Sequence, residues 1–95
     1  MPTSNTLKTI LIVEDEVAMV TVLKDKFSSA GFTLLEAKNG QDGLTSALTH
    51  HPDLILLDII MPIMDGMTML HQLRQDPWGK SVPVILLTNL SDADK

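Results

Sequence analysis

Four short apolar runs punctuate the chain: Ile10–Val13, Leu34–Leu35 with Ala37, Leu54–Leu57, and Val84–Leu87. None of them alternates apolar with polar residues. A continuous run of this kind suits a parallel strand buried on both faces rather than a strand with one wet face. The second run is weaker, because Thr33 and Glu36 interrupt it, and it predicts an edge strand. Between the runs, apolar residues recur at spacings of three and four. Val20, Leu23, Phe27 and Ala30 predict a helix stopped by Gly31. Leu44, Ala47 and Leu48 predict a second helix between Asn39-Gly40 and Pro52. Met67, Leu70 and Leu73 predict a third, ended by Asp76-Pro77 and Trp78-Gly79. Ser91, with Asp94 three residues on, predicts the cap of a fourth.

The resulting order is β-α-β-α-β-α-β followed by the start of a helix. Such alternation predicts the α/β class: a parallel sheet with right-handed crossovers and helices on both faces. Residues 1–8 are mostly polar and are expected to form a loose arm, leaving 9–95 as the folded unit.

Composition narrows the picture mainly by exclusion. A chain of 95 residues and 10.4 kDa can bury roughly 64% of its unfolded surface, enough for one core but not for two domains. There is no cysteine, which excludes a disulfide scaffold and any thiolate metal or redox site. No apolar run approaches the roughly 18 residues that a membrane span requires. Met1–Thr9 lacks the basic and apolar regions of a signal peptide, so a soluble, cytoplasmic chain is expected. The net charge is −5, from 12 acidic and 7 basic residues, with no basic stripe. Only Phe27, Phe32 and Trp78 are aromatic. Both features argue against nucleic-acid binding through this segment.

In an open parallel sheet, ligands bind outside the carboxyl ends of the strands. There the first run is followed by Glu14-Asp15-Glu16, the third by Asp58 and the fourth by Thr88. If the first and third strands are neighbours, Glu14, Asp15 and Asp58 converge. Two unit charges 4 Å apart repel by about 4 kcal/mol at an effective dielectric of 20. Such a trio needs a cation, or else one acid must hold its proton. Oxygen-only ligands with open positions suit Mg²⁺. The bland alternative is that Asp15 or Glu16 only caps the following helix. His50-His51, before Pro52, is expected to be a helix-end contact, His71 a helix-surface residue, and Trp78 a cover for the end of the third helix.

These motifs resemble those of response-regulator receiver domains. Glu14-Asp15-Glu16 is similar to the family's acidic pair, although Asp is more common at the first position. The segment Leu56-Leu57-Asp58-Ile59-Ile60-Met61-Pro62-Ile63-Met64-Asp65-Gly66 resembles the phosphorylation-site segment almost residue for residue, and Pro83–Thr88 resembles the fourth strand with its switch threonine. The resemblance implies a flavodoxin-like doubly wound parallel sheet in the order 2-1-3-4-5. It implies Asp58 as phosphoacceptor and Thr88 as switch hydroxyl. It implies Mg²⁺ held by Asp15, Asp58 and the Ile60 backbone carbonyl, with Glu14 acting through water. The implied partner is a histidine kinase or phosphotransfer protein, and no turnover of an external substrate is expected beyond self-phosphorylation and autodephosphorylation. Asn89 stands where the family prefers a small residue.

The family pattern continues with a fourth helix, a fifth strand ending in Lys-Pro and a fifth helix. Only seven residues follow Thr88, so strand five and helix five are expected to be missing from this chain. A dimer, a domain swap or a completing segment at the edge of strand four is then expected. The alternative function is a pseudo-receiver, an interaction or assembly module without phosphotransfer.

Overall fold

The computed structural model describes residues 8–87. The elements alternate as expected: β1 (Thr9–Val13), α1 (Val17–Ser29), β2 (Thr33–Ala37), α2 (Gly40–His50), β3 (Leu54–Asp58), α3 (Gly66–Leu73) and β4 (Val84–Leu87). The four strands form one parallel sheet in the order β2-β1-β3-β4. This is the implied doubly wound order as far as the described residues reach. The predicted arm and the capping Ser91 lie outside those residues, apart from Lys8.

Two of the three uninterrupted runs form the central strands β1 and β3, each buried nearly along its whole length. The third, Val84–Leu87, forms β4, which is half-exposed rather than buried on both faces, because among the described residues it has a neighbouring strand on one side only. The interrupted run forms β2, a half-exposed edge. Side chains of a strand point alternately to opposite faces, and the core divides accordingly. Leu11, Val13, Ile55 and Leu57 pack with Ala47 of α2 and with Met69 and Leu73 of α3. Ile10, Ile12 and Leu56 pack with Val20, Leu23 and Phe27 of α1 on the other face.

Helix α1 stops where Gly31 takes φ 96, a conformation that costs glycine little. Phe32 N–H donates to the Phe27 carbonyl and Gly31 N–H to that of Ser28. This is the Schellman pattern, completed by edge-to-face packing of Phe27 on Phe32. Ala30, predicted on the buried face, is instead the exposed C-cap residue. Helices α2 and α3 start on side-chain caps: Asn39 accepts from Asp42 N–H at 2.8 Å and Asp65 from Thr68 N–H at 2.7 Å. In α3 the inward stripe is Gly66, Met69 and Leu73, with Leu70 half-buried and the predicted Met67 exposed. In α2 the inward stripe is Gly40, Gly43 and Ala47, and the predicted Leu48 faces outward.

Candidate acidic site

The sheet register decides the site. Val13 of β1 lies opposite Leu57 of β3, so the residues that follow, Glu14 and Asp58, emerge side by side at the carboxyl edge. Asp15 is next along the chain. The carboxylates of Glu14, Asp15 and Asp58 each offer an oxygen within 4.8 Å of the other two. Glu14 and Asp58 are each only 5% exposed, whereas Asp15 faces solvent. Among the described residues this is the one cluster of acids or histidines spaced to hold a metal ion.

Backbone donors support the two buried acids. Glu16 N–H donates to Glu14 Oε2 at 3.0 Å. Ile59 N–H donates to Asp58 Oδ1 at 2.8 Å. These bonds do not compensate for burial. Desolvation pushes the Glu14 carboxyl up to about 7, against the pull of Glu16 N–H, and the charges of Asp58 and Asp15 add to the rise. Burial also raises Asp58, against the Ile59 N–H, the Glu14 side chain and the Ile60 N–H, with Asp15 adding repulsion. Burial and mutual repulsion both disfavour the charged forms of this pair.

The bland reading of the first acids does not describe this geometry. Glu16 occupies the N-cap of α1 but makes no side-chain cap bond. Glu14 instead turns back to take the Glu16 N–H. Asp65, by contrast, is a cap: its bond to Thr68 N–H holds its carboxyl below the usual range.

The loop that carries Ile60 is held close to the site. Gly66 N–H donates to the Ile59 carbonyl at 2.8 Å. A Cβ on Gly66 would collide with the Asp58 carbonyl, so glycine is required there. Ile60 itself is exposed. Thr88 and Asn89 lie outside the described residues.

Some features had no readable signal in the sequence. A cavity of about 170 Å³ opens beside the acids between α1 and β2, lined by Glu14, Asp15, Val20, Lys24, Glu36 and Lys38 among others. Lys24 Nζ and Glu36 pair across it at 2.6 Å. His51 takes a left-handed φ of 47 and stacks face to face on Trp78, with centroids 4.2 Å apart. Trp78 therefore reaches the end of α2 as well as packing on the core. His50 Nδ1 lies 3.1 Å from the Ser46 carbonyl, and His71 is an exposed helix residue, as expected. No helix among the described residues is long and apolar enough to cross a membrane.

The fold has many counterparts among known structures. The profile of the response regulator receiver domain matches residues 10–95. The alkaline phosphatase synthesis transcriptional regulatory protein PhoP of Bacillus subtilis is 38% identical over 81 residues, which are 85% of this chain and 33% of that protein. The N-terminal domain of a response regulator receiver protein from Methanoculleus marisnigri is 36% identical with a TM-score of 0.82, over 87% of this chain and 68% of that one. The receiver domain of the sensor histidine kinase PA1611 from Pseudomonas aeruginosa is 31% identical with a TM-score of 0.84, over 87% of this chain and 68% of that one. Its structure holds a magnesium ion coordinated in the active-site cleft. The chain spans about a third of the length of the first curated relatives it matches.

Proposed function

Since the chain belongs to the response regulator receiver domain family, we propose that it is a phospho-accepting signalling switch, taking a phosphoryl group onto Asp58 from a histidine kinase or phosphotransfer protein. The observation that carries this reading is the acidic trio, with one buried acid at the end of each central strand and a third beside them.

The donor set suits Mg²⁺. Three carboxylates within 4.8 Å of one another are all-oxygen ligands of the hard-cation type. Burial, with the neighbouring charges of Asp58 and Asp15, pushes the Glu14 carboxyl up to about 7. Asp15 and Asp58 would hold the ion through their carboxylates, Ile60 through its backbone carbonyl, and Glu14 through a water. When bound, the ion supplies positive charge to the oxygens of the phosphoryl group. The magnesium in the cleft of the PA1611 receiver domain supports this assignment.

The chain's own residues do the rest. An oxygen of the Asp58 carboxylate attacks phosphorus. A carboxylate–phosphorus bond forms as the bond from phosphorus to the donor histidine nitrogen breaks. That nitrogen keeps the electron pair, and the ring, carrying one proton from solvent on its other nitrogen, leaves as neutral imidazole. Carboxylates serve as nucleophiles in such transfers. Ile59 N–H holds one Asp58 oxygen at 2.8 Å and so orients the attacking group. Thr88 would donate its hydroxyl to a phosphoryl oxygen. Ile85 and Leu86 of β4 are half-exposed, which supports contact there with a second copy of the chain or a completing segment.

Beryllofluoride, a phosphoryl mimic, tests the assignment when titrated with Mg²⁺ and followed by calorimetry. The chain should bind it only with Mg²⁺ present, and Asp58→Ala should abolish binding. Undiminished binding by Asp58→Ala would overturn the assignment.

A further inference from the structure

The segment from Ile59 to Asp65 joins the phosphoacceptor to α3 and is fastened at three points. Gly66 N–H closes its base on the Ile59 carbonyl at 2.8 Å. Gly40 N–H, at the first turn of α2, donates to the Met64 carbonyl at 2.8 Å and latches the far side to that helix. Met64 N–H donates to the Pro62 carbonyl at 2.7 Å, across the single residue Ile63. Ile63 has φ 69. A three-residue turn with positive φ at its centre is strained, and a β-branched residue is poorly suited to that region.

Nothing at Ile63 offsets the strain, since its side chain is 81% exposed. Its neighbours impose it. Met61 is buried and Met64 packs against the same core cluster, so both sides of the turn are anchored. Pro62 adds a fixed φ. A Cβ on Gly40 would collide with the Met64 carbonyl, so the latch depends on glycine there.

The geometry points to a sprung strap: Ile63 opposes the latch between Met64 and Gly40, and opening the latch frees the backbone that carries Ile60 beside Asp58. Strain of this kind persists only where the surroundings over-determine it, so opening releases it. Opening also leaves the Gly40 N–H, a donor at a helix start, without its partner. The two effects oppose one another, and the latch is closed but shallow. Its functional consequence rests on the reading of Ile60 as a cation contact. An ion held by the Ile60 carbonyl favours the latched form, so occupancy of the acidic site and docking of the strap on α2 are coupled.

Amide hydrogen exchange at Gly40 reads the latch directly. Glycine adopts positive φ freely, whereas alanine keeps the Cβ. Ile63→Gly should slow Gly40 exchange on the order of tenfold, the scale set by left-handed strain in an L-residue. Ile63→Ala should leave it close to the parent value. Ile63→Gly should also melt above Ile63→Ala, the reverse of the order at a relaxed position. Equal exchange in the two variants, or a higher melting temperature for alanine, would overturn the spring. Saturating Mg²⁺ should slow Gly40 exchange in the parent protein. Mg²⁺ that binds without changing that exchange would overturn the coupling. Failure of Mg²⁺ to bind would sink the cation reading instead, and the metal-free comparison of glycine with alanine would still decide the spring.

Discussion

Asp53 and Asp58 bracket the same strand and do opposite things. At the amino end of β3, Asp53 is exposed and its Oδ2 accepts from Thr9 N–H at 2.8 Å, while its own N–H donates to the Thr9 carbonyl at 2.8 Å. One carboxylate meets one backbone donor in water, and the start of β3 is tied to the start of β1. At the carboxyl end, Asp58 shares a buried corner with Glu14, and Asp15 lies within reach of both. Three carboxylates there compete for a few N–H groups. A satisfied acid is structural. An acid that is buried, crowded and under-compensated is set up to take a ligand.

The contrast predicts effects of opposite sign. The larger concerns Glu14. Its carboxyl is raised from 4.5 to about 7 in the folded chain. Between those values the folded state binds more protons than the unfolded state. In metal-free protein, stability should therefore be highest below the unfolded value and fall as pH rises through the folded one, by up to about 3 kcal/mol. Denaturant titrations from pH 4.5 to pH 8 measure this. Glu14→Gln should flatten the profile and stabilise the metal-free protein at the alkaline end, and Mg²⁺ should oppose the fall. A parent profile that rises across the window would show that Glu14 is not held protonated by its burial.

The smaller effect concerns Asp53. Asp53→Ala removes a satisfied bond and should cost about 1 kcal/mol at neutral pH, read as a lower denaturant midpoint. Affinity for Mg²⁺ should not change. A loss of Mg²⁺ binding in this variant would show that the two ends of β3 are not independent.

How legible these features were depends on how local their causes are. The central strands could be read directly, because burial on both faces requires continuous apolar runs such as Ile10–Val13 and Leu54–Leu57. The edge position of β2 followed from Thr33 and Glu36. The acids could be placed because parallel strands put their carboxyl ends together, and Val13 opposite Leu57 is what joins Glu14 to Asp58. The face of α3 was harder. Met67 and Met69 are equally apolar, and the packed helix buries Met69 and leaves Met67 half-exposed. The stack of His51 on Trp78 joins residues far apart in sequence, and a His-His-Pro segment gives no sign of a left-handed residue. Ile63 gives no sign of strain, because its turn is imposed by the burial of Met61 and the packing of Met64 on either side of it, which depend on side chains from other elements. The cavity between α1 and β2 depends on side chains from separate elements.

The central claim is that Asp58 accepts a phosphoryl group. Intact-mass spectrometry after incubation with Mg²⁺ and a phosphoramidate donor tests it most directly, with Asp58→Asn and a metal-chelated sample alongside. The expected result is a gain of one phosphoryl group, mapped to Asp58 and absent from both controls. A chain that binds Mg²⁺ yet gains no phosphoryl group, or gains it equally in Asp58→Asn, would contradict it.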